Sequence, residues 1–473
     1  MMTKSFSRRQ FLSHVLAVSS GLAAASLVSA GCAPKADPVP DAPVKEDPAA
    51  PVEPPPAKVD EVIYIRVQME SGPIGVQMGE LLERWNEANP SVQAVLEETI
   101  YGEIAMKTEL GVAVGDVPDS LFAFTRWHWL GAYKGWYLAL DDLIDAGVVT
   151  DFDDFYEIGV ENQKFEGKIY GLIDSVHVGP ASTITWNRGL FEEAGLEPPN
   201  PDMTLMDIHD LARKVARPEE GIFGFQSSLG TIGRLANTTR AWGKPEYHAH
   251  GDTSTWVTSV DGRQFHLIDN PGAKELLATW LKTLYDERVH PMPEDQVTGG
   301  LWVAGQVAMI QAHQGQPMRT KASVGDMWDF HTQDCMMLPV GPEGRMGTSW
   351  ECHNRCVYAK TKYPQETLQL NDYLTSYEAG MISLGMTGNR SGRKSVLADP
   401  KWQDEFPIFQ AMDEVLTSGI VEEYPMPWNL RDVEVREVQN NTLNPISNGL
   451  MTLEEQAHIA QREIQAVFDL PRP

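Results

Sequence analysis

Tryptophans gathered in one short stretch are the residues of this sequence that most readily suggest chemistry. Trp127, Trp129 and Trp136 lie within FTRWHWLGAYKGWYL (124–138), directly after a segment that reads as a strand. The face of an indole ring matches the C–H-rich face of a sugar ring, and neighbouring polar side chains can bond the hydroxyls. Tryptophans also fill protein cores, so a structural role is the alternative for each. The same two explanations hold for further tryptophans near Gly, Pro or polar residues: Trp186, Trp242, Trp302, Trp350 and Trp428.

Sequence motifs of known catalytic centres are absent. The chain has no Gly-x-x-x-x-Gly-Lys-Ser/Thr loop, no Gly-x-Gly-x-x-Gly, no His-Glu-x-x-His and no Gly-x-Ser-x-Gly. The acidic pairs Asp141-Asp142 and Asp153-Asp154 are neighbours along the chain, which is poor support for facing glycosidase carboxylates. The lack of these motifs fits a binding protein without a cofactor, but it does not exclude an enzyme. The alternative is a secreted, lipid-anchored carbohydrate-active hydrolase whose active site is assembled only in three dimensions.

The four cysteines, Cys32, Cys335, Cys352 and Cys356, are too few for a disulfide framework. The Cys352-His353-x-x-Cys356 spacing matches no established zinc pattern, so we expect no metal. Cys352 and Cys356 on one extended strand would lie too far apart to bridge. Free thiols, or one bridge to Cys335, are the two remaining alternatives.

The first 32 residues have the features of an export signal. Arg8 and Arg9 stand in SRRQFL, no acidic residue occurs in 1–31, and the apolar stretch at 15–30 is diluted by serine and glycine. The paired arginines are typical of the twin-arginine route. Ser29-Ala30-Gly31-Cys32 is similar to a lipoprotein cleavage site, although Ser29 replaces the usual leucine. We expect Cys32 to be acylated; the alternative is an ordinary cleaved signal with an incidental cysteine.

Residues 33–60 form a proline-rich tether that cannot build a core. Nine prolines fall in 33–57 and favour an extended polyproline II conformation, at about 3.1 Å per residue. No other stretch is apolar and long enough to cross a bilayer. We therefore expect a body facing the periplasm or the cell exterior, lipid-anchored to the membrane.

Charge excludes one class of partner. The sequence has 66 acidic and 38 basic residues and a formal net charge of −28. Because no basic stripe is available to neutralise phosphates, we expect no nucleic-acid partner.

The segment 61–473 is long enough for two sizeable cores.

Alternating strands and helices predict an α/β fold. EVIYIRVQM (61–69) reads as a strand, Met78, Leu81, Leu82 and Trp85 recur at helical spacing, and a strand resumes at 92–96. Later helices begin at Thr204 and Thr452, each followed three residues on by an acidic side chain. Strand–helix–strand order of this kind favours parallel pairing with crossover helices.

The order of several segments resembles that of the extracellular solute-binding proteins of family 1, a group that includes maltose-binding proteins and serves ABC importers. The segment that resembles the family most, FEGKIYGLIDSVHVGPASTITWNRGLFEEAGLEPP, has Asn187, Leu190, Phe191, Gly195 and Leu196 in the family's positions. Other similar segments occur in the family's order: LLERWNEANPSVQAVLEE, VAVGDVPDSLFAF, GWYLALDDLIDAG, WVAGQVAMI, YPQETLQLNDYLTSYEAG, GRKSVLADPKW and NNTLNPISNGLMTLEEQAHIAQREI.

The resemblance implies a two-lobe periplasmic-binding-protein-like fold of type II, with a hinge and an inter-lobe cleft. The chain would leave the first lobe near Thr185-Trp186-Asn187 and return near Leu338-Pro339. Lobe 1 would then comprise 61–185 and 338–385, and lobe 2 would comprise 186–337 and 386–473. The implied function is capture of a small, sugar-like solute by a monomer, and its delivery to ABC permease subunits in the membrane. Such proteins are not enzymes and use no cofactor.

The family's cleft-facing loops imply a set of ligand-binding candidates, polar members bonding hydroxyls or a carboxylate and aromatic members stacking. These are Glu70, Ser71, Tyr101, Glu103, Arg126, Trp127, His128, Asp174, His177, Trp242, Trp350, Glu351, Arg390 and Trp428.

Two departures from the family pattern concern the solute. Met318 stands where the family often has the tryptophan of Gly-Pro-Trp, and Gly388-Asn389-Arg390 replaces Pro-x-Arg. Maltose-like recognition is therefore not implied, and Arg126, His128 and Arg390 would equally suit an acidic sugar or a non-sugar solute.

Overall fold

Strands and helices alternate along most of the chain, as the hydrophobic pattern predicts. The computed structural model describes residues 62–178, 182–242, 257–259, 261–298, 300–313, 315–325, 334–341, 347, 349–388, 391–418, 422–423, 427–448 and 450–473. The predicted signal, Cys32 and the tether lie outside these residues.

The strands within the described residues are, in chain order, β1 (Ile63–Glu70), β2 (Val92–Thr99), β3 (Ser120–Phe124), β4 (Lys164–Phe165), β5 (Lys168–Ile169), β6 (Leu172–Val178), β7 (Thr183–Trp186), β8 (Phe223–Gln226), β9 (Val307–Ala312), β10 (Asp334–Met337), β11 (Ser349–Val357) and β12 (Glu422–Glu423).

The α-helices within the same residues are α1 (Pro73–Ala88), α2 (Ile104–Val114), α3 (Thr125–Tyr133), α4 (Asp141–Asp145), α5 (Glu157–Asn162), α6 (Arg188–Ala194), α7 (Leu205–Val215), α8 (Ile232–Ala241), α9 (Pro271–Tyr285), α10 (Gln316–Val324), α11 (Pro364–Leu374), α12 (Tyr377–Thr387), α13 (Lys394–Leu397), α14 (Pro400–Glu405), α15 (Ile408–Ser418), α16 (Asp432–Ser447) and α17 (Leu453–Phe468).

Local signals account for the helix boundaries. Helix α1 begins with Pro73, whose missing N–H costs nothing at a helix start, and buries the predicted stripe ending at Trp85. Helix α7 begins at a full capping box between Thr204 and Asp207. Thr452 likewise accepts a hydrogen bond from the backbone N–H of Glu455 at the start of α17.

Two sheets form the centres of two lobes. The first has the order β12-β11-β3-β1-β2, with β6 also paired to β11. Strands β1, β2 and β3 are parallel, whereas β11 runs antiparallel to both β3 and β6. The second has the order β10-β7-β9-β8, with β8 parallel to β9. The predicted α/β two-lobe fold is confirmed.

The chain passes between the sheets twice in this part of the sequence. It leaves the first sheet after Val178 and enters the second at Thr183, a little before the predicted Thr185. It leaves the second after Met337 and re-enters the first at Ser349. Thr183 pairs with Met337, and Val178 pairs with Trp350, so the two connections begin and end on paired strands.

The helices after residue 386 differ from the implied lobe boundaries. Val396, Trp402 and Phe409, from α13, α14 and α15, pack in one core cluster with Leu172 and Ile173 of the first sheet. Only α16 and α17 join the second core, where Val435, Leu443, Ile446, Ala460 and Ile464 lie with Ile184 and Phe225. We therefore call the first sheet with α1–α5 and α11–α15 the first lobe, and the second sheet with α6–α9, α16 and α17 the second lobe.

Arg393 gives a physical reason for this difference. Its guanidinium is buried and forms an ion pair with Asp372 at 3.1 Å. It also donates to the backbone carbonyls of Thr375 at 2.9 Å and Thr150 at 3.0 Å. All three partners belong to the first lobe, so a buried charge holds the start of α13 there.

The described cysteines Cys335, Cys352 and Cys356 are buried, and none of the three forms a disulfide. No group of three or more potential metal ligands lies among the residues that the structure describes. Within the same residues, no helix has both the length and the apolar character needed to span a membrane.

Candidate functional site

The carboxyl ends of the parallel strands meet at one edge of the first sheet. Glu70, the last residue of β1, pairs with Thr99, the last residue of β2. Phe124 ends β3 beside His353, and Val178 ends β6 beside Trp350. Ligands of open α/β sheets bind outside this edge. The predicted residues Glu70, His177 and Trp350 lie near the ends of strands at this edge, Tyr101 lies in the segment after β2, and Trp127 lies in the first turn of α3.

The corresponding edge of the second sheet faces the same connections. Thr183 begins β7 opposite Ala312, which ends β9, and Gln226 ends β8 beside Ile310. Because β6 ends at Val178 and β7 begins at Thr183, the carboxyl edges of both sheets adjoin the ends of the same connections. The predicted cleft would lie between these edges, and we take this region as the candidate site.

Two opposite charges interact at this edge of the first sheet. Glu70 is half-buried at the end of β1. The pKa of its carboxyl is raised, chiefly by burial and also by the negative charge of Asp174, while the positive charge of Arg319 opposes the shift. Arg319 lies on α10. Burial lowers the pKa of its guanidinium, and the negative charge of Glu70 partly offsets this shift. Its Nε donates to the carbonyl of Thr387 at 3.2 Å. Nothing in the sequence pattern around Arg319 marks it as part of the site.

Helix α10 lies in sequence between β9 and β10 of the second sheet but also packs on the first lobe. Met318 is buried in the first lobe's core cluster, and Lys321 forms an ion pair with Glu405 of α14. The backbones of Gly315 and Gly388 also approach closely. A Cβ atom on Gly315 would lie 2.5 Å from the carbonyl oxygen of Gly388, and one on Gly388 would lie 2.8 Å from that of Gly315. Met318, in place of the family's tryptophan, therefore supports α10 from the core side.

This close approach gives a testable prediction. Gly388 has a φ of +66°, so Gly388→Ala combines left-handed backbone strain with a clash against Gly315. Gly115 has a φ of +75° at the end of α2 and has open space around it. In urea unfolding, Gly115→Ala should lower the free energy of unfolding by about 1–2 kcal/mol, and Gly388→Ala should lower it by roughly 1–3 kcal/mol more. Equal decreases in the two variants would show that the backbone of Gly315 is not in close contact with Gly388.

An aromatic wall forms the part of the cleft next to β3. The ring of Tyr101 lies 4.6 Å from that of Phe124 and 5.8 Å from that of Trp127, and Phe124 lies 5.3 Å from Trp127. Trp127 is only 3% exposed. The guanidinium of Arg436, on α16 of the second lobe, lies 5.7 Å from the centre of the Trp127 ring. This cation–π contact joins the two lobes across the candidate site.

The structure places His128 in the core of the first lobe. The residue is fully buried, its Nε2 lies 3.1 Å from the carbonyl of Gln163, and its Nδ1 lies 3.4 Å from the thiol of Cys356. Burial lowers the pKa of His128 to about 4, although the hydrogen bond to Gln163 opposes this shift. As the fourth residue of α3, His128 points away from the cleft that Trp127 borders, so we remove it from the candidate site.

Asp174 also has a structural partner. Its carboxylate accepts a hydrogen bond from Arg355 Nε at 3.0 Å, in an ion pair whose side chains are 6% and 0% exposed. Asp174 therefore contributes to the site through its charge near Glu70.

Two predicted tryptophans have structural partners in the second lobe. Trp242 is buried in its core, with its ring 5.2 Å from that of His209. Trp428 donates from Nε1 to the carbonyl of Phe468 at 2.7 Å and carries the guanidinium of Arg263 at 4.0 Å above its ring. Trp428 thus ties the end of α17 to the second lobe, and we remove both tryptophans from the candidate site.

The remaining candidates stay predictions. Trp350 and Glu351 are buried near the start of β11. Ser71, directly after β1, and Glu103, shortly after β2, are exposed. The side chains of Arg126 and His177, and the whole of Arg390, lie outside what the structure describes.

Comparisons with known proteins agree with this architecture. A family profile described as bacterial extracellular solute-binding protein matches residues 80–409. No curated protein sequence matches the chain. An ABC substrate-binding protein from Listeria monocytogenes in complex with cycloalternan has 19% identity and a TM-score of 0.70, covering 86% of this chain and 99% of its own.

Two further solved structures are similar. An ABC transporter solute-binding protein from Agrobacterium radiobacter in complex with ribitol has 18% identity and a TM-score of 0.70, covering 87% of this chain and 100% of its own. UgpB from Mycobacterium tuberculosis in complex with glycerophosphocholine has 17% identity and a TM-score of 0.68, covering 85% of this chain and 98% of its own. At these identities the likeness establishes the fold.

Proposed function

The chain belongs to the bacterial extracellular solute-binding protein family, and we propose on that premise that it is the substrate-binding component of an ABC importer. It captures a small solute between its two lobes and passes the solute, chemically unchanged, to a membrane permease. Closure of the lobes exchanges water contacts of the solute for protein contacts, and the permease distinguishes the closed from the open form.

The observation that carries this proposal is the arrangement of the two sheets. Their carboxyl edges adjoin a shared pair of connections between Val178 and Thr183 and between Met337 and Ser349. Glu70 and Tyr101 of the first lobe, Arg319 of α10 and Arg436 of the second lobe lie near these edges. Carboxylates, guanidinium groups and aromatic rings are the side chains with which proteins hold polyhydroxyl solutes.

The proposed solute is a sugar or a polyol. Proteins with this fold hold cycloalternan in one case and ribitol in another. The third holds glycerophosphocholine, so the fold alone does not select a carbohydrate. The aromatic wall and the paired opposite charges favour a neutral polyhydroxyl compound over a phosphodiester, because a phosphodiester needs an excess of positive charge.

The location of the protein is part of the proposal. The signal ending at Cys32 would export the chain and supply a lipid anchor, and the tether at 33–60 would hold a monomeric body away from the membrane surface. Labelling of intact cells with a fatty-acid analogue, compared between wild type and Cys32→Ala, tests the anchor directly. Incorporation that persists in the variant contradicts it.

Thermal unfolding with a panel of monosaccharides, oligosaccharides, polyols and uronates tests the binding function. A solute present at about 100 times its Kd should stabilise the folded protein by roughly 2.7 kcal/mol, seen as a higher Tm. Chromatography of the solute after incubation should show it unchanged. Cleavage of an oligosaccharide would instead support the hydrolase alternative, and an unchanged Tm with every compound would count against solute binding.

A further inference from the structure

The first turns of α16 hold an ion pair with unused hydrogen-bonding atoms. Asp432 is 8% exposed, and its Oδ2 lies 3.5 Å from Arg436 Nη2. Both atoms are buried, and within the described residues neither has a hydrogen-bond partner. A buried charged group without a hydrogen bond is costly, since it has lost water and gained nothing equivalent. Such groups are expected where a ligand supplies the missing partner.

The pair faces the first lobe across the candidate cleft. Val435 and Leu443 of the same helix lie in the second lobe's core. The guanidinium of Arg436 reaches the first lobe, where it lies 5.7 Å from the ring of Trp127. Trp127 follows the carboxyl end of β3, in contact with Tyr101 and Phe124. The unpartnered atoms of α16 are therefore next to the edge at which the first lobe presents its polar groups.

Three pairs of opposite charge lie near this edge. Glu70 interacts electrostatically with Arg319, Asp174 is bonded to Arg355, and Asp432 lies beside Arg436. Each pair brings a carboxylate close to a guanidinium. A solute carboxylate would gain contact with one guanidinium but would also lie near Glu70 or Asp432, and like charges at short range repel.

We propose that Asp432 and Arg436 form a hydroxyl-recognition pair that selects a neutral sugar or polyol over the corresponding acid. One solute hydroxyl donates to Asp432 Oδ2 and accepts from Arg436 Nη2, which completes the hydrogen bonding of both atoms. Trp127 holds the guanidinium in place by its cation–π contact. This inference rests on the proposed solute-binding function and adds the chemical class of the solute.

Calorimetric titration of the full mature chain tests the pair with five probes: glucose, maltotriose, ribitol, glucuronate and ribonate. Wild type should bind at least one neutral probe and should bind its acid at least tenfold more weakly. Asp432→Asn and Arg436→Gln should each weaken binding of the neutral probe roughly tenfold to a hundredfold, since each removes a charged hydrogen bond. Asp432→Asn should also reduce the difference in affinity between the neutral probe and its acid. Loss of structure alone would not cause that change.

A matched pair on the same lobe controls for effects on helix stability. Arg188 and Glu192 on α6 have the same spacing and a 3.0 Å ion pair, but their side chains are 45% and 65% exposed and lie beyond the opposite end of β7. Arg188→Gln and Glu192→Gln should leave every affinity unchanged. Thermal unfolding without solute confirms that each variant folds.

The outcomes separate this inference from the proposed function. Neutral-probe binding that is equal in wild type and in both α16 variants overturns the recognition pair and leaves solute binding in place. Preference of the wild type for glucuronate or ribonate overturns the proposed selectivity. A wild type that binds none of the five probes contradicts the proposed sugar or polyol solute itself, and the inference falls with it.

Discussion

Asp174→Ala is expected to lower the free energy of unfolding by about 3–5 kcal/mol, because it leaves the buried guanidinium of Arg355 without its carboxylate. Arg355 is fully buried and joins three strands of the first sheet. Besides Asp174 on β6, it contacts β1, where its Nη1 donates to the carbonyl of Gln68 at 2.9 Å and its Nη2 lies 2.7 Å from the sulfur of Met69. Removing the carboxylate therefore weakens the part of the sheet that ends at Glu70.

An exposed ion pair provides the comparison for this variant. Asp210 and Arg213 lie 2.6 Å apart on α7, with 65% of the Asp210 side chain exposed. Exposed pairs contribute at most about 1 kcal/mol, so Asp210→Ala should change stability far less. Urea unfolding monitored by tryptophan fluorescence measures both variants. Asp174→Ala with a cost as small as that of Asp210→Ala would mean that Arg355 finds another partner or reaches water.

Acidification below pH 6.5 is expected to remove several kcal/mol of stability, with buried histidines as the cause. Burial lowers the pKa of both His128 and His209 to about 4, and it lowers that of His290 well below its ordinary value, with His209 adding to the effect. In the unfolded chain a histidine titrates near pH 6.5. Between pH 6.5 and 4 the unfolded state therefore binds protons that the folded state does not.

The sign of the effect follows from this difference in bound protons. Stability is fully present above pH 6.5 and falls as the pH drops towards 4, since protonation favours the unfolded chain. A shift from 6.5 to about 4 corresponds to roughly 3 kcal/mol for each of His128 and His209 at the acidic limit. Urea unfolding at a series of pH values from 7.5 to 4 measures the slope.

His209→Leu isolates one of these contributions. The ring of His209 packs in the second lobe's core between Phe225 and Trp242, and a leucine of similar size keeps that burial without a titrating group. We expect near-native stability at pH 7.5 and a shallower decline on acidification. His458→Gln, at an exposed position on α17, should keep the native slope. A slope unaffected by His209→Leu would assign the acid sensitivity to other groups.

Much of the fold could be predicted from local sequence signals. Apolar spacing located α1, and the Thr-x-x-Asp and Thr-x-x-Glu patterns located the starts of α7 and α17, because helix caps depend on residues close in sequence. The assignment of α13–α15 to a lobe could not be derived in this way. An apolar stripe shows which face of a helix is buried but not the surface against which it packs.

The candidate site was predictable only in part, for a similar reason. Glu70 ends a strand, and Tyr101 and Trp127 come shortly after strands, so the end of a predicted strand is enough to place them at the sheet edge. His128 is adjacent to Trp127 in sequence, but a helix turns successive side chains by about 100°, which takes His128 into the core. Arg319 and Arg436 lie inside helices, and only the packing of the lobes brings them to the edge.

Helix α10 has a mechanical consequence for the opening of the two lobes. In sequence it lies between two strands of the second sheet, yet Met318, Arg319 and Lys321 hold it on the first lobe. If the lobes swing apart as rigid bodies, either these contacts break or the chain on both sides of α10 stretches. The contacts of α10 therefore resist separation of the lobes. Without solute, a smaller fraction of this protein should have its lobes far apart than in a protein whose lobes are joined only by the two connections.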